Sequence, residues 1–145
     1  MRGLTTNQQD AALRRKYSRV DTILLAAWGA AWGVVVTPAD QSYRISIEYM
    51  RGGMIGDCRL IPSLAVRVLS PALARRAAAA DECIPHLYRE GELCLYDPGI
   101  ETEEGDWNRT MLIADTIVPW TSEWLFFYEL WHATGVWHGR EVKHR

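Results

Sequence analysis

The order of patterns along this chain predicts an α+β fold. A polar stretch of good helix formers comes first, over residues 8–17. Strand-like segments follow over 32–37, 42–49 and 64–69. The C-terminal third, 111–134, then carries apolar residues at three- and four-residue spacing.

Each element has a local reason. Residues 8–17 are rich in Gln, Ala, Leu, Arg and Lys, which favour helix. Residues 21–27 form an apolar lead-in. Trp32-Gly33-Val34-Val35-Val36-Thr37 crowds valines suited to a pleated surface, and Pro38 ends it. Ser42 to Tyr49 alternates polar and apolar residues, the period of a half-buried strand. The short link Ala39-Asp40-Gln41 predicts a hairpin between these two strands. Arg51-Gly52-Gly53 breaks the second. Leu64 to Leu69 is a third strand between Pro62 and Pro71. Residues 71–80 fit either a helix, from their alanines, or a flexible connection. Residues 85–88 and 92–96 read as short extended pieces around a turn at Gly91. The acidic stretch 101–106, with Gly105, reads as an exposed loop. In the last segment Ile113, Ile117, Trp120, Trp124, Phe127, Tyr128 and Trp131 share a helical face suited to a core. Pro119 either starts a second helical piece or kinks a longer one. Gly135 is the expected C-terminal stop. Trp137 and His138 lie beyond it and are expected to be exposed.

Composition narrows the function. The 145 residues suit a single domain, 1–145, and 48% are apolar, enough for a core without metal or disulfide staples. A formal charge of -2 gives no electrostatic reason to expect nucleic acid. Three cysteines at irregular spacing, Cys58, Cys83 and Cys94, do not form a disulfide framework. The polar N-terminus is not a signal sequence, so a cytoplasmic location is expected. The apolar run 22–36 is too short for the roughly 20 residues of a spanning helix and is broken by Gly29 and Gly33. It reads as core, with no membrane role.

The chemistry concentrates in Pro85-His86-Leu87-Tyr88-Arg89-Glu90-Gly91-Glu92-Leu93-Cys94-Leu95-Tyr96. One cysteine sits in a strand-like Leu-Cys-Leu behind a glycine turn, eight residues after a histidine. A reactive thiol needs access and a polar neighbour that manages charge, and this segment is expected to supply both locally. Cys94 is the candidate nucleophile and His86 its candidate helper, by favouring thiolate or donating to an oxyanion. The alternatives are a buried apolar cysteine and a structural histidine. Tyr88 and Tyr96 read as packing or loop support rather than acid-base groups. Asp97 reads as a turn residue before Pro98, with the orientation of an incoming amine as its other reading.

A zinc site is the competing constellation. Cys83-x-x-His86 with Cys94 offers two thiolates and an imidazole, with His132 or His138 as a fourth ligand. Structural zinc sites usually pair two short knuckles, and only half of one is present. Neither a metal nor another cofactor is therefore expected, and Cys58 and Cys83 read most simply as buried thiols.

The same segment resembles the active-site signature of the ubiquitin-conjugating enzymes. Pro85 falls on that family's proline, Tyr88 on its aromatic, Gly91 on its glycine and Leu93-Cys94-Leu95 on its aliphatic-Cys-Leu. Trp107 follows at about the place of its tryptophan. The likeness is greatest to bacterial members, with Trp32-Gly33, a Tyr-centred second strand at 43–49 and the Leu87 to Pro98 segment, and it spans roughly 32–137. Where eukaryotic members have His-Pro-Asn, this chain has Ile84-Pro85-His86.

The resemblance implies a ubiquitin-conjugating-like α+β fold: an N-terminal helix, an antiparallel meander, an irregular cysteine segment and C-terminal helices. It implies a cysteine transferase of the kind found in CBASS antiphage operons. Cys94 would hold a partner's C-terminus as a thioester and pass it to an amine. The implied partner is a cGAS-like nucleotidyltransferase (CD-NTase) or a ubiquitin-like protein, with a separate activating protein in some operons. Arg14, Arg15 and Lys16 lie on the helix such enzymes offer to that activating protein, beside their plainer reading as a solvated face. A non-catalytic binding module of the same fold is the alternative function.

Overall fold

The computed structural model describes residues 3–60, 63–76, 82–96 and 107–139. The element order is α1 (Thr6–Lys16), β1 (Val20–Ala26), β2 (Gly29–Val36), β3 (Tyr43–Met50), β4 (Gly53–Ile55), β5 (Cys58–Leu60), β6 (Ser63–Ser70), a single 3-10 turn (Ile113–Asp115) and α2 (Ile117–Thr134). The expected α+β layout is present, with an N-terminal helix, an antiparallel sheet and a C-terminal helix. The expected acidic loop, Asp97 and the alanine run 77–80 lie outside the described residues.

Helix α1 begins two residues before its expected start because Thr5 and Gln8 form a capping box. The Thr5 side chain accepts from the Gln8 amide and the Gln8 side chain accepts from the Thr5 amide. Arg14, Arg15 and Lys16 are exposed, as a solvated face requires. Arg14 pairs with Asp10 at 3.4 Å and Lys16 with Asp115 at 2.9 Å.

The main sheet has strand order β1-β2-β3-β6, all antiparallel. The alternation read in β3 is real: Tyr43, Ile45, Ile47 and Tyr49 are buried while Arg44 and Glu48 are exposed. Pairing aligns Trp32 with Ile47 and Val66, and Val34 with Ile45 and Val68, so one face of the sheet is a continuous apolar surface. Residues 21–27 are not a lead-in but the edge strand β1. Its exposed Ile23, Leu24 and Leu25 hide the strand period, and its partner β2 supplies the order. The hairpin β4–β5 was not legible, because three-residue strands carry no period.

The 111–134 pattern divides. Residues 113–115 make one tight turn, and α2 begins at Ile117, which puts Pro119 in the first turn where its missing amide costs nothing. Gly135 ends α2 in the left-handed region at φ 82°, donating to Trp131 at 2.7 Å. Ile117, Thr121, Trp124, Tyr128 and Trp131 cover the sheet. Among the described residues no helix is long and apolar enough to cross a membrane.

A buried amide locks the two ends of the fold together. Gln9 is fully buried; its Nε2 donates to the Met111 carbonyl at 2.9 Å and its Oε1 accepts from the Ile113 amide at 2.9 Å. Gln9→Ala strands both backbone groups and should lower stability by about 3 kcal/mol, read by urea denaturation. An unchanged midpoint would show that both groups find other partners.

Candidate functional site

The cysteine segment is a miniature hairpin attached to the free edge of β6. Tyr88 donates its amide to the Glu92 carbonyl at 2.8 Å and Gly91 donates to the Tyr88 carbonyl at 2.9 Å. This is the three-residue loop that needs a left-handed residue before its last strand, and Gly91 supplies it at φ 85°. Leu87 bridges Leu93, and Leu93 donates to the Val66 carbonyl at 2.9 Å. Arg67 on β6 then clamps Glu92 at 3.0 Å and Glu48 at 3.5 Å.

His86 sets the depth of Cys94. Its φ is 53°, a left-handed conformation that costs about 1 kcal/mol or more in an L-residue, although histidine is among the types that adopt it more often. That twist aims the His86 carbonyl inward, where it accepts from the Cys94 amide at 3.0 Å and the Trp124 indole Nε1 at 3.1 Å. The hairpin is thereby bound to α2. The structure thus brings His86 and Cys94 together, through the main chain. The His86 ring lies 5.1 Å from the Trp137 ring, centroid to centroid.

The access expected of this segment is absent: Cys94 is 1% exposed. Burial pushes its thiol up to about 11; a hydrogen bond with the Tyr88 side chain lowers it, and the nearby Glu92 carboxylate adds to the rise. Tyr88 therefore touches the candidate nucleophile, beyond the loop support expected of it. Tyr96 is pushed up to about 12 by burial, reinforced by Tyr88 and Glu92. Its ring lies 6.3 Å from Trp107, which is buried and sits edge-on to Tyr49 at 5.6 Å.

Beside the thiol is a narrow slot of about 110 Å³ lined by Cys94, Leu95, Trp120, Glu123, Trp124, Phe127 and Trp137. That is below the roughly 300–1,000 Å³ of a small-molecule pocket. Trp120 and Phe127, read as core, are half-buried and line this slot. Trp120, Glu123, Trp124 and Phe127 fall at helical i, i+3, i+4 and i+7, a stripe visible in the sequence. Trp137 carries no such signal. It is not exposed as expected but folds back against Trp124, at 5.6 Å between ring centres, and Phe127, at 6.2 Å. His138 is exposed, as expected.

The zinc alternative is not assembled. Among the described residues no three His, Cys, Asp or Glu side chains are grouped to hold a metal. Cys83 is exposed while Cys94 is buried, and His132 is exposed on α2 against Tyr128 and Trp131. Cys58 and Cys83 are both exposed thiols, correcting the expectation of burial. Cys58 sits on the two-stranded hairpin outside the main sheet, and Cys83 precedes the anchored part of its segment.

This geometry defines a class: an α+β protein that holds one cysteine at a sheet edge, beside an aromatic slot, on a hairpin tied to its last helix. The chain matches the family model of the Type II CBASS E2 protein over residues 9–145 and belongs to that family. It is thus a CBASS-associated E2-like protein, a component of a CBASS system. No curated protein matches it.

The raised thiol has a pH signature. In the native protein, alkylation of Cys94 should climb about tenfold per pH unit from pH 7 to 10, with no plateau near the ordinary value of about 8.5. Peptide-level mass spectrometry across that range checks it. The folded state holds this proton more tightly than the unfolded chain. Its contribution to stability is whole below about 8.5 and is lost as pH rises toward 11.

Proposed function

We propose that this protein is a ubiquitin-conjugating-like acyl carrier acting through Cys94. The observation that carries the reading is the placement of Cys94: at the slot, on a hairpin held by Val66, Arg67 and the His86 carbonyl. The Cys94 thiolate attacks an activated C-terminal carbonyl, an S–C bond forms, and the activating group leaves. An amine then attacks the thioester; the C–N bond forms and the thiolate departs. A narrow slot suits a slender chain end better than a bulky cofactor. Membership of the family directs attention to a cGAS-like nucleotidyltransferase as the donor of that chain end, with its attachment regulating antiphage signalling.

His86 is the second member of the proposed site. Its main chain fixes the thiol, and its imidazole is the candidate donor to the tetrahedral oxyanion, worth about 3 kcal/mol where such donors have been removed. Asparagine also tolerates the left-handed backbone. His86→Asn should therefore retain at least tenfold more transfer to an amine than His86→Ala, with thioester loading affected less than transfer in both. Equal loss of loading and transfer in both variants would assign His86 a purely structural role.

Coexpression with the neighbouring operon proteins, followed by intact-mass spectrometry, tests the central claim. Wild type should give a thiol-sensitive adduct equal to this chain plus a partner minus water. Cys94→Ser should give a thiol-resistant one, and Cys94→Ala none. An adduct that survives in Cys94→Ala would remove Cys94 from the chemistry.

A further inference from the structure

The segment that follows α2 returns to the slot that holds the thiol. Gly135 reverses the chain, the Thr134 hydroxyl accepts from the Val136 amide at 3.2 Å, and the backbone returns toward the cysteine hairpin. Val136 points to solvent, 54% exposed, whereas Trp137 turns inward and becomes a wall of the Cys94 slot. Its ring touches groups from two elements: His86 on the hairpin, and Trp124 and Phe127 on α2. Gly139 then lies so close that a Cβ there would stand 2.9 Å from both Phe127 Cδ2 and Trp137 Nε1.

What holds this segment is the indole. Among the described residues no backbone–backbone hydrogen bond ties 136–139 to the rest of the fold. The Trp137 Nε1–H is buried without a hydrogen-bond partner among those residues. A buried donor left unpaired costs about 1–3 kcal/mol, which offsets much of the gain from burying the ring. Such a segment, held by ring packing and penalised by an unpaired donor, opens locally at low cost. In the slot that Trp137 helps to line, Cys94 is almost fully shielded.

We propose that residues 136–139 are a strap whose Trp137 ring closes the Cys94 slot, so that the ring must swing out before an acyl donor's chain end reaches the thiol. This rests on the acyl-carrier reading for its biological meaning, but the closure itself is a property of the free protein. Lifting the ring opens the slot and hydrates the thiol, moving it back toward an ordinary, more readily ionised cysteine.

Alkylation with iodoacetamide tests the strap without any partner, and the exposed Cys58 and Cys83 serve as references in the same chain. In wild type, Cys94 should react at least tenfold more slowly than either. Trp137→Ala should raise the Cys94 rate at least tenfold and leave Cys58 and Cys83 unchanged, while Trp137→Phe, which keeps a ring, should stay within about threefold of wild type. Leu13→Ala, a core truncation in α1, controls for lost stability and should not accelerate Cys94. An unchanged Cys94 rate in Trp137→Ala, or equal acceleration by Leu13→Ala, would overturn the strap. A faster Cys94 in Trp137→Ala with no partner adduct in any background would keep the strap and remove the acyl-carrier reading. An adduct with an unaltered alkylation rate would do the reverse.

Discussion

The candidate site depends on one carbonyl. His86 C=O accepts from the Cys94 amide and from the Trp124 indole at once, and so joins the hairpin, the thiol and the last helix at a single point. The carbonyl faces inward only because His86 takes a left-handed backbone. That local strain is sustained by what surrounds it: two hydrogen bonds, a tilted ring contact with Trp137 and the β6 edge on the far side of the hairpin. The cysteine's position is therefore over-determined, although the loop that carries it has almost no regular secondary structure.

The same arrangement explains why the thiol is both close to solvent in sequence terms and buried in fact. The hairpin does not project; it completes the sheet edge, with Leu93 and Leu95 entering the core. Cys94, between them in sequence, is buried at the aromatic slot instead. Burial then dominates its ionisation over the hydrogen bond with Tyr88. A thiol kept protonated and covered is quiet in isolation. The walls around it are aromatic: Trp120, Trp124 and Phe127 from α2, and Trp137 from the segment after it.

Behind the site, the fold is a short list of satisfied buried polar groups in an apolar setting. Gln9 bridges α1 to the turn before α2, Tyr43 donates to Glu129 at 2.6 Å, and the Trp32 indole donates to Asp10 at 3.0 Å. Each joins elements distant in sequence. They fix where α2 lies on the sheet, and hence where its Trp120, Glu123, Trp124 and Phe127 stripe meets the cysteine hairpin.

Much of this was determined by the sequence. The polar alternation of β3, the valines of β2, the proline-bounded β6 and the three- and four-residue spacing of α2 each state their element, because burying one face imposes a period. The turn at Gly91 and the stop at Gly135 were legible for a related reason: both need positive φ, which glycine adopts most cheaply. The cysteine segment announced itself by motif. The tertiary structure alone decided that β1 is a strand, since Ile23, Leu24 and Leu25 are exposed in succession and pairing with β2 orders it. It alone decided that Cys58 and Cys83 are exposed, that Trp120 and Phe127 also line a slot, and that Trp137 turns back onto Trp124 and Phe127 beside Cys94. None of these has a local cause. Burial of a given side chain is set by which surfaces meet, and those surfaces belong to segments far apart in the chain.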